Sequence, residues 1–128
     1  MELNFQQMND LIEVFTDLQT KSLPFKLSLI IAKDMNLLNK EVEFYIEQEK
    51  AFAEKYLAKD ENGNYIQERE NVFKIKEDLI EECRTAREEL NNFTSNVELR
   101  KLPMSALENL EFTPKQLTAL EVIIDEEA

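Results

Sequence analysis

Pairs of carboxylates lie one helical turn apart in this chain. Glu77 precedes Glu81 by four residues, and Asp78 precedes Glu82 by the same interval. Two carboxylates at this spacing can share a metal ion or act together as general acid and base. The 128 residues include no histidine, however, and a di-metal site between helices normally needs a Glu-x-x-His element. We therefore expect a solvated acidic face, with no metal site and no cofactor.

A second candidate metal site is the segment that begins at Asp60. Asp60, Asn62 and Asn64 alternate as the first oxygen ligands of a calcium loop do. The twelfth position of such a loop is Asn71 here, where a bidentate Glu is required, and Gly63 comes too early. The same residues are the strongest turn signal in the chain, so they predict a polar chain reversal.

Cysteine chemistry is confined to Cys83, the single cysteine of the chain. It falls on the apolar repeat of a predicted helix, where a thiol packs as a small hydrophobe and its pKa rises. Gly63 is the single glycine, so phosphate-binding loops lack their usual residue. We expect a protein that is not an enzyme.

The net charge of −12 comes from 27 acidic and 15 basic residues. Such a chain is repelled by nucleic acid and by anionic lipid, and it favours a protein partner with a basic surface. The 43% of apolar residues is enough for the core of one domain over residues 1–128. No apolar run approaches the roughly 18 residues of a membrane span, and a lone cysteine suits a reducing compartment. We expect a cytoplasmic protein.

Apolar periodicity predicts a mainly α fold. A first helix is expected over residues 6–19 and a long second helix over residues 24–58. The first turns of the long helix are apolar on nearly every side and are expected to be buried. Its later turns carry a heptad seam that Glu49 interrupts. The seam consists of Ile31, Met35, Leu38, Val42, Tyr45, Glu49, Phe52 and Tyr56.

A second heptad seam predicts a third helix over Val72–Phe93. Joined by the turn at Gly63, the two seams predict a long antiparallel helical hairpin, an arm over residues 41–96. Residues 65–75 are compatible with a small β-hairpin or with a run-in to the third helix. The second seam consists of Val72, Leu79, Cys83, Ala86, Leu90 and Phe93.

The remaining residues, 1–40 and 97–128, predict a small helical body. Polar and apolar residues alternate in Glu2–Phe5, a candidate strand whose mate in a minor two-stranded element is expected in residues 97–102. A last helix is expected over residues 113–124, because its Thr-Pro start combines an N-cap with a proline at the first helical position.

Two surfaces are candidates for protein binding. Carboxylates along a rigid arm can imitate a phosphate backbone and occupy a basic cleft. These carboxylates are Glu77, Glu81, Glu82 and Glu88. The other surface is aromatic and is formed by Tyr56 and Tyr65, which are expected to be exposed near the arm tip. The sequence leaves open which surface binds and whether the arm pairs with a second copy of the chain.

Several motifs follow one another over most of the chain. They are Leu3-Asn4-Phe5, Leu23-Pro24, Ile31-Ala32-Lys33, the turn from Lys59 to Asn64, Phe112-Thr113-Pro114, Gln116-Leu117 and Leu120-Glu121. In this order they resemble a family of small proteins of tailed phages and prophages of Gram-positive bacteria, a domain of unknown function. The resemblance implies a phage gene expressed in a bacterial cell. We expect a non-enzymatic inhibitor of a host defence or nucleic-acid-binding protein; the alternative is an accessory or chaperone for head or tail assembly.

Overall fold

The computed structural model describes residues 1–126 and is mainly α, as predicted. Residues 127 and 128, the end of the expected 97–128 segment, lie outside this description. The helices are α1 (Phe5–Leu18), α2 (Phe25–Tyr56), α3 (Ile80–Asn91), α4 (Met104–Leu107) and α5 (Pro114–Leu120), with a 3₁₀ turn at Glu77–Leu79. The strands are β1 (Glu2–Asn4), β2 (Gln67–Arg69), β3 (Val72–Phe73), β4 (Thr94–Asn96), β5 (Leu102–Pro103) and β6 (Ile124–Asp125). Contacts divide the chain into two units, which are Met1–Glu43 with the chain from Thr94 on, and Phe44–Phe93.

Helix α1 begins at a capping box that its own sequence supplies. The Asn4 side chain accepts the N–H of Gln7 at 2.8 Å, and the Gln7 side chain accepts the N–H of Asn4 at 2.9 Å. Two N–H groups without partners inside the helix are satisfied in this way. The predicted first helix is confirmed, with each end shifted by one residue. Its buried face lies in the core of the first unit and consists of Met8, Leu11, Val14, Phe15 and Leu18.

Helix α5 also begins where the sequence predicts. The Thr113 hydroxyl accepts the N–H of Gln116 at 3.2 Å, and a proline occupies the first turn. The expected extension to residue 124 is wrong, because the helix ends at Leu120. Residues 121–123 form a turn, and their β-branched side chains have low helix propensity. There the N–H of Leu102 donates to the carbonyl of Ile123 at 2.7 Å, and β5 and β6 pair in parallel.

Strand β1 forms a two-stranded element with a partner other than the expected one. It pairs antiparallel with β4, with Leu3 opposite Ser95, and not with residues 97–102. Val97 and Leu99 alternate with exposed residues because this segment faces the core before β5 begins at Leu102, which gives the same period of two as a strand. The buried residues of this segment are Val97, Leu99 and Leu102.

Helix α2 crosses the boundary between the two units. The predicted seam is its inner face in the first unit, where Ile31 is 2% exposed and Leu38 is fully buried. The expected burial of the first turns on every side is wrong, because Phe25 is 78% exposed while Leu27 is 3% exposed. Only the face that Leu27 shares with Ile31, one turn later, lies in the core.

In the second unit, α2 and α3 run antiparallel, as expected for a helical hairpin. The rings of Phe44 and Phe93 lie 6.0 Å apart near one end of the pair, and Lys55 lies 3.5 Å from Glu82 near the other. The expected start of the third helix at Val72 is wrong, since α3 begins only after the 3₁₀ turn.

Residues 57–76, which we call the tip, join the two helices through extended backbone. Three hydrogen bonds of 2.9, 2.8 and 3.1 Å form a closed ring, in which Ala58 N–H donates to Lys74, Lys74 N–H to Ile66, and Ile66 N–H to Ala58. Strands β2 and β3 pair beside this ring. The tip therefore adopts the β-hairpin alternative. A helix from Val72 would leave these backbone groups without their partners.

Candidate functional site

The predicted acidic residues lie on α3 and on the 3₁₀ turn that leads into it. Glu81 and Glu88 are two helical turns apart and share one side of the helix, with Glu77 one turn before Glu81 and Glu82 beside it. All four side chains are exposed to solvent. The structure therefore places them along one side of α3 and its leading turn, with Arg84 between Glu81 and Glu88, and we call this surface the acidic face.

Two cations contact the acidic face. Lys55 lies 3.5 Å from Glu82, and Arg84 lies 3.2 Å from Glu81. Both pairs are open to water, with every side chain more than half exposed, so each contributes at most about 1 kcal/mol. Within residues 1–126, neither Glu77 nor Glu88 forms an ion pair. The acidic face keeps an excess of negative charge.

Tyr56, expected at the surface, is only 5% exposed. Its ring packs on that of Phe52, with centroids 5.1 Å apart, and the Lys55 ammonium lies 5.1 Å from the Tyr56 centroid. The expected exposure is therefore wrong. Tyr56 is the last position of the α2 seam, and the seam is the inner face of the helix. The ring is not available to a partner.

Tyr65 is half-buried in the tip. Its hydroxyl donates to Glu54 at 3.1 Å, and the Lys59 ammonium lies 5.2 Å from the ring centroid. Lys59 donates to the same carboxylate at 2.7 Å. Loss of water around the Tyr65 hydroxyl, together with the Glu54 hydrogen bond, raises its pKa. Tyr65 is thus less exposed than expected, because its ring and hydroxyl contact residues of the second unit.

Glu49, the charged residue on the α2 seam, is paired with Arg87 of α3. Arg87 Nη1 donates to Glu49 Oε2 at 3.1 Å, and Nη2 donates to Oε1. The Tyr45 hydroxyl donates to Oε1 at 2.7 Å. The Arg87 hydrogen bonds lower the pKa of Glu49 against the opposing effect of burial. The negative charge of Glu49 on the seam is therefore paired with the positive charge of Arg87.

Arg87 was not among the predicted site residues. A carboxylate on an otherwise apolar seam requires a cation on the facing helix, and this requirement is the signal that identifies it. Arg87 follows Cys83 by one turn on that helix. Its guanidinium also lies 4.5 Å from the Phe52 ring centroid, an attractive cation–π geometry.

A groove of about 430 Å³, which we call the tip groove, opens within the second unit. Phe73 and Ile80 line it and are 41% and 42% exposed. Neither was a predicted site residue, because the seam pattern assigned both positions to one continuous helix. Tyr56 is buried, but the tip groove exposes other apolar side chains of the second unit. Its apolar lining consists of Phe52, Ala53, Leu57, Val72, Phe73, Ile75, Ile80 and Cys83.

Cys83 is 3% exposed, which confirms that it packs as a core residue. Burial raises the pKa of its thiol, opposed by the nearby Arg87 charge. In the calcium-like segment, the Asp60 carboxylate accepts the N–H groups of Asn62 and Asn64 at 2.8 and 3.0 Å. These bonds close the polar turn that the sequence predicts. Residues 1–126 contain no cluster of three acidic or cysteine side chains that could hold a metal ion.

The first unit contains a buried carboxylate that was also not among the predicted site residues. Asp34 is fully buried, and its Oδ1 accepts the N–H of Arg100 at 2.8 Å. Its Oδ2 has no hydrogen-bond partner within the described residues. Burial raises the pKa of Asp34, opposed by the Arg100 hydrogen bond. The Asp34 hydrogen bond joins α2 to the backbone of residue 100 within the first unit.

Among the described residues, no helix has the length and apolar character to cross a bilayer. Comparison of the chain with protein-family models, with curated proteins and with solved structures gave no match.

Proposed function

We propose that this chain is a non-enzymatic protein-binding module whose acidic face docks on the basic surface of another protein. The partner class is a nucleic-acid-binding or defence protein of a bacterial cell, and the acidic face occupies the cleft that would receive phosphates. The proposal rests on the exposed carboxylates that α3 and its leading 3₁₀ turn present on one side. The phage-like order of motifs supports this setting.

The charge around the acidic face supports the proposal. Lys55 and Arg84 are the cations in contact with it, and both are held in exposed pairs of small energy. Arg87 is held by Glu49 on the opposite side of the seam. Negative potential therefore extends into solvent, where it steers a basic partner and weakens as salt is added.

The tip groove favours a second candidate function, an accessory protein for phage head or tail assembly. Phe73 and Ile80 present large apolar side chains to solvent in a concave surface. A surface of this kind covers an apolar segment of a partner that would otherwise aggregate. Binding through the groove would depend on Phe73 and Ile80 and only weakly on salt.

A capture experiment with matched charge variants tests the leading proposal. The tagged chain is incubated with a lysate of a Gram-positive bacterium at low and at high salt, and each retained protein is purified and tested for displacement from DNA. The acidic-face variant carries E77Q, E81Q, E82Q and E88Q. The control variant makes the same change in net charge on exposed residues of the first unit, with E2Q, E13Q, E43Q and E98Q.

The proposal requires that a DNA-binding protein is captured at low salt, is displaced from DNA by the wild-type chain, and is lost in the acidic-face variant alone. If the control variant loses capture equally, the effect depends on net charge alone, and the proposal is contradicted. Capture that survives high salt and disappears in F73S/I80S would establish the second candidate instead.

A further inference from the structure

The first unit contains a separate apolar groove of about 310 Å³, which we call the body groove. Its floor is Leu107, which is 6% exposed. Met104 and Leu117 also line it and are 45% and 47% exposed. The apolar residues of its lining are Met104, Leu107, Leu110, Phe112, Leu117 and Ile124.

Local structure explains why these side chains remain accessible. Pro103 is the N-cap of α4, which is a single helical turn. Met104 is therefore the first residue of a helix too short to bury it. The Thr113 cap sets the start of α5 and places Leu117 one turn later. Large apolar side chains that line a concave surface mark binding sites more often than isolated exposed ones do.

The body groove has one carboxylate in its lining and others close to the lining residues in sequence. Glu108 lines it directly, Glu111 precedes the lining residue Phe112, and Glu121 follows Leu117 by one helical turn. From Met104 to Glu126 the sequence has five carboxylates and a single cation, Lys115. The groove thus combines an apolar floor with a lining carboxylate, in a segment that has an excess of negative charge. This combination complements a segment that is apolar on one side and basic on the other.

We infer that the body groove binds an amphipathic segment of a partner polypeptide, one that presents large apolar side chains between lysines or arginines. The apolar side chains of that segment cover Met104 and Leu117, and its cations lie against Glu108 and the carboxylates near it. This site is independent of the acidic face, which belongs to the second unit. It requires a specific shape and an apolar contact, whereas the acidic face requires only a basic surface.

A defined peptide tests the body groove. The probe is a labelled peptide of about 14 residues with leucines at helical spacing and lysines elsewhere, and its control replaces each lysine by glutamate. Binding to the full chain is measured by fluorescence anisotropy. We expect the lysine peptide to bind and the glutamate peptide not to bind. M104S/L117S should weaken binding by at least about tenfold, because both apolar contacts are lost.

Two further variants separate the groove from net charge. V122S removes another exposed apolar side chain, 37% exposed, that does not line the groove, and it should leave affinity unchanged. The neutralised acidic-face variant should retain the M104S/L117S effect. Loss of binding in that variant, with none in M104S/L117S, would overturn the groove proposal while leaving the proposed function standing. If no DNA-binding protein is captured but the peptide still binds, the proposed function would be overturned and the groove proposal would stand.

Amide shifts, self-association and the comparison of the two peptides also test whether the body groove binds the peptide. Backbone amide shifts on peptide addition should concentrate in residues 104–124, and shifts confined to α3 would contradict it. Self-association of the free chain that depends on Met104 and Leu117 and that the peptide does not reverse would assign the groove to a second copy instead. Equal binding of both peptides would remove the charge complementarity on which the inference rests.

Discussion

The hydrogen bonds from Arg87 to Glu49 place a charged pair inside the apolar contact between α2 and α3. The side chains are 36% and 33% exposed, so the pair is partly shielded from water. A one-turn slip of either helix would separate the two charges and leave each facing apolar side chains. The pair therefore favours one register of the helical hairpin, a role that polar residues on heptad seams often have.

Removal of one member of this pair will cost more than removal of both. R87L leaves the Glu49 carboxylate facing the seam and should lower the free energy of unfolding by about 1–3 kcal/mol, below the cost for a fully buried pair. E49L/R87L completes an apolar seam and should recover most of that loss. Urea unfolding of the single and double variants measures the coupling. Additive losses would contradict a specific interaction.

The stability of the Glu49 pair should also depend on pH. Arg87 lowers the pKa of Glu49 in the folded chain, so the stabilisation is present above the ordinary carboxyl pKa and is lost as pH falls through the lowered value. Unfolding of wild type and E49Q, measured from about pH 7 down to about pH 3, should show the two stabilities converging in acid. A difference that does not change with pH would argue against this interaction.

Asp34 should show the opposite sign. Its pKa is raised by burial, so the folded chain favours the protonated acid, and stability is lost as pH rises from the ordinary carboxyl pKa through the raised value. D34N retains an acceptor for the Arg100 N–H without the charge. Its stability relative to wild type should therefore increase with pH. D34A, which removes the acceptor, should be less stable than D34N by about 1 kcal/mol at every pH.

The helical parts of the fold could be predicted because their signals are local. Thr113 and its proline determine the start of α5, and the α2 seam determines the inner face of that helix. In the tip, the sequence predicts the polar turn but does not decide between a β-hairpin and a run-in to the third helix, because the backbone hydrogen bonds join Ala58, Ile66 and Lys74, which are distant in sequence. The apolar spacing near Val72 matches a heptad seam equally well.

The candidate site was predictable to a similar extent. The acidic face follows from the helical positions of its carboxylates, and solvation leaves them exposed. Tyr56 required a choice between the seam, which buries it, and the tip, which would expose it. The exposed apolar residues Phe73 and Met104 depend on the ends of short elements, and such boundaries are weakly encoded by local sequence.

Gly63 and Asn71 both adopt positive φ in the tip, at 81° and 61°. A Cβ added to Gly63 meets no atom within 4 Å, so G63A should cost only the backbone strain, about 1 kcal/mol. N71G relieves the same strain and should lie within about 0.5 kcal/mol of wild type. Thermal unfolding of the two variants checks the contrast. Equal destabilisation by both would contradict this account of the turns.

Charge reversal at the two ends of α3 should change stability in opposite directions. Glu81 and Glu82 lie in the first turn, where the helix dipole stabilises negative charge, and each also contacts a cation. E81K/E82K should therefore lower the free energy of unfolding by about 0.5–2 kcal/mol. Glu88 and Glu89 lie near the C-terminal end, where the dipole disfavours them, so E88K/E89K should be neutral or stabilising by up to about 1 kcal/mol.

Both double variants shift the net charge equally, so urea unfolding of the pair isolates position from charge. A loss of partner binding in E88K/E89K would then be attributable to the exposed carboxylates at the C-terminal end of α3, because this variant is expected to leave the helix intact. Destabilisation by E88K/E89K as large as that by E81K/E82K would show that α3 is governed by contacts other than its dipole and its two ion pairs. Binding tests on the acidic face would in that case rest on the glutamine variants, which carry no reversed charge at either end of the helix.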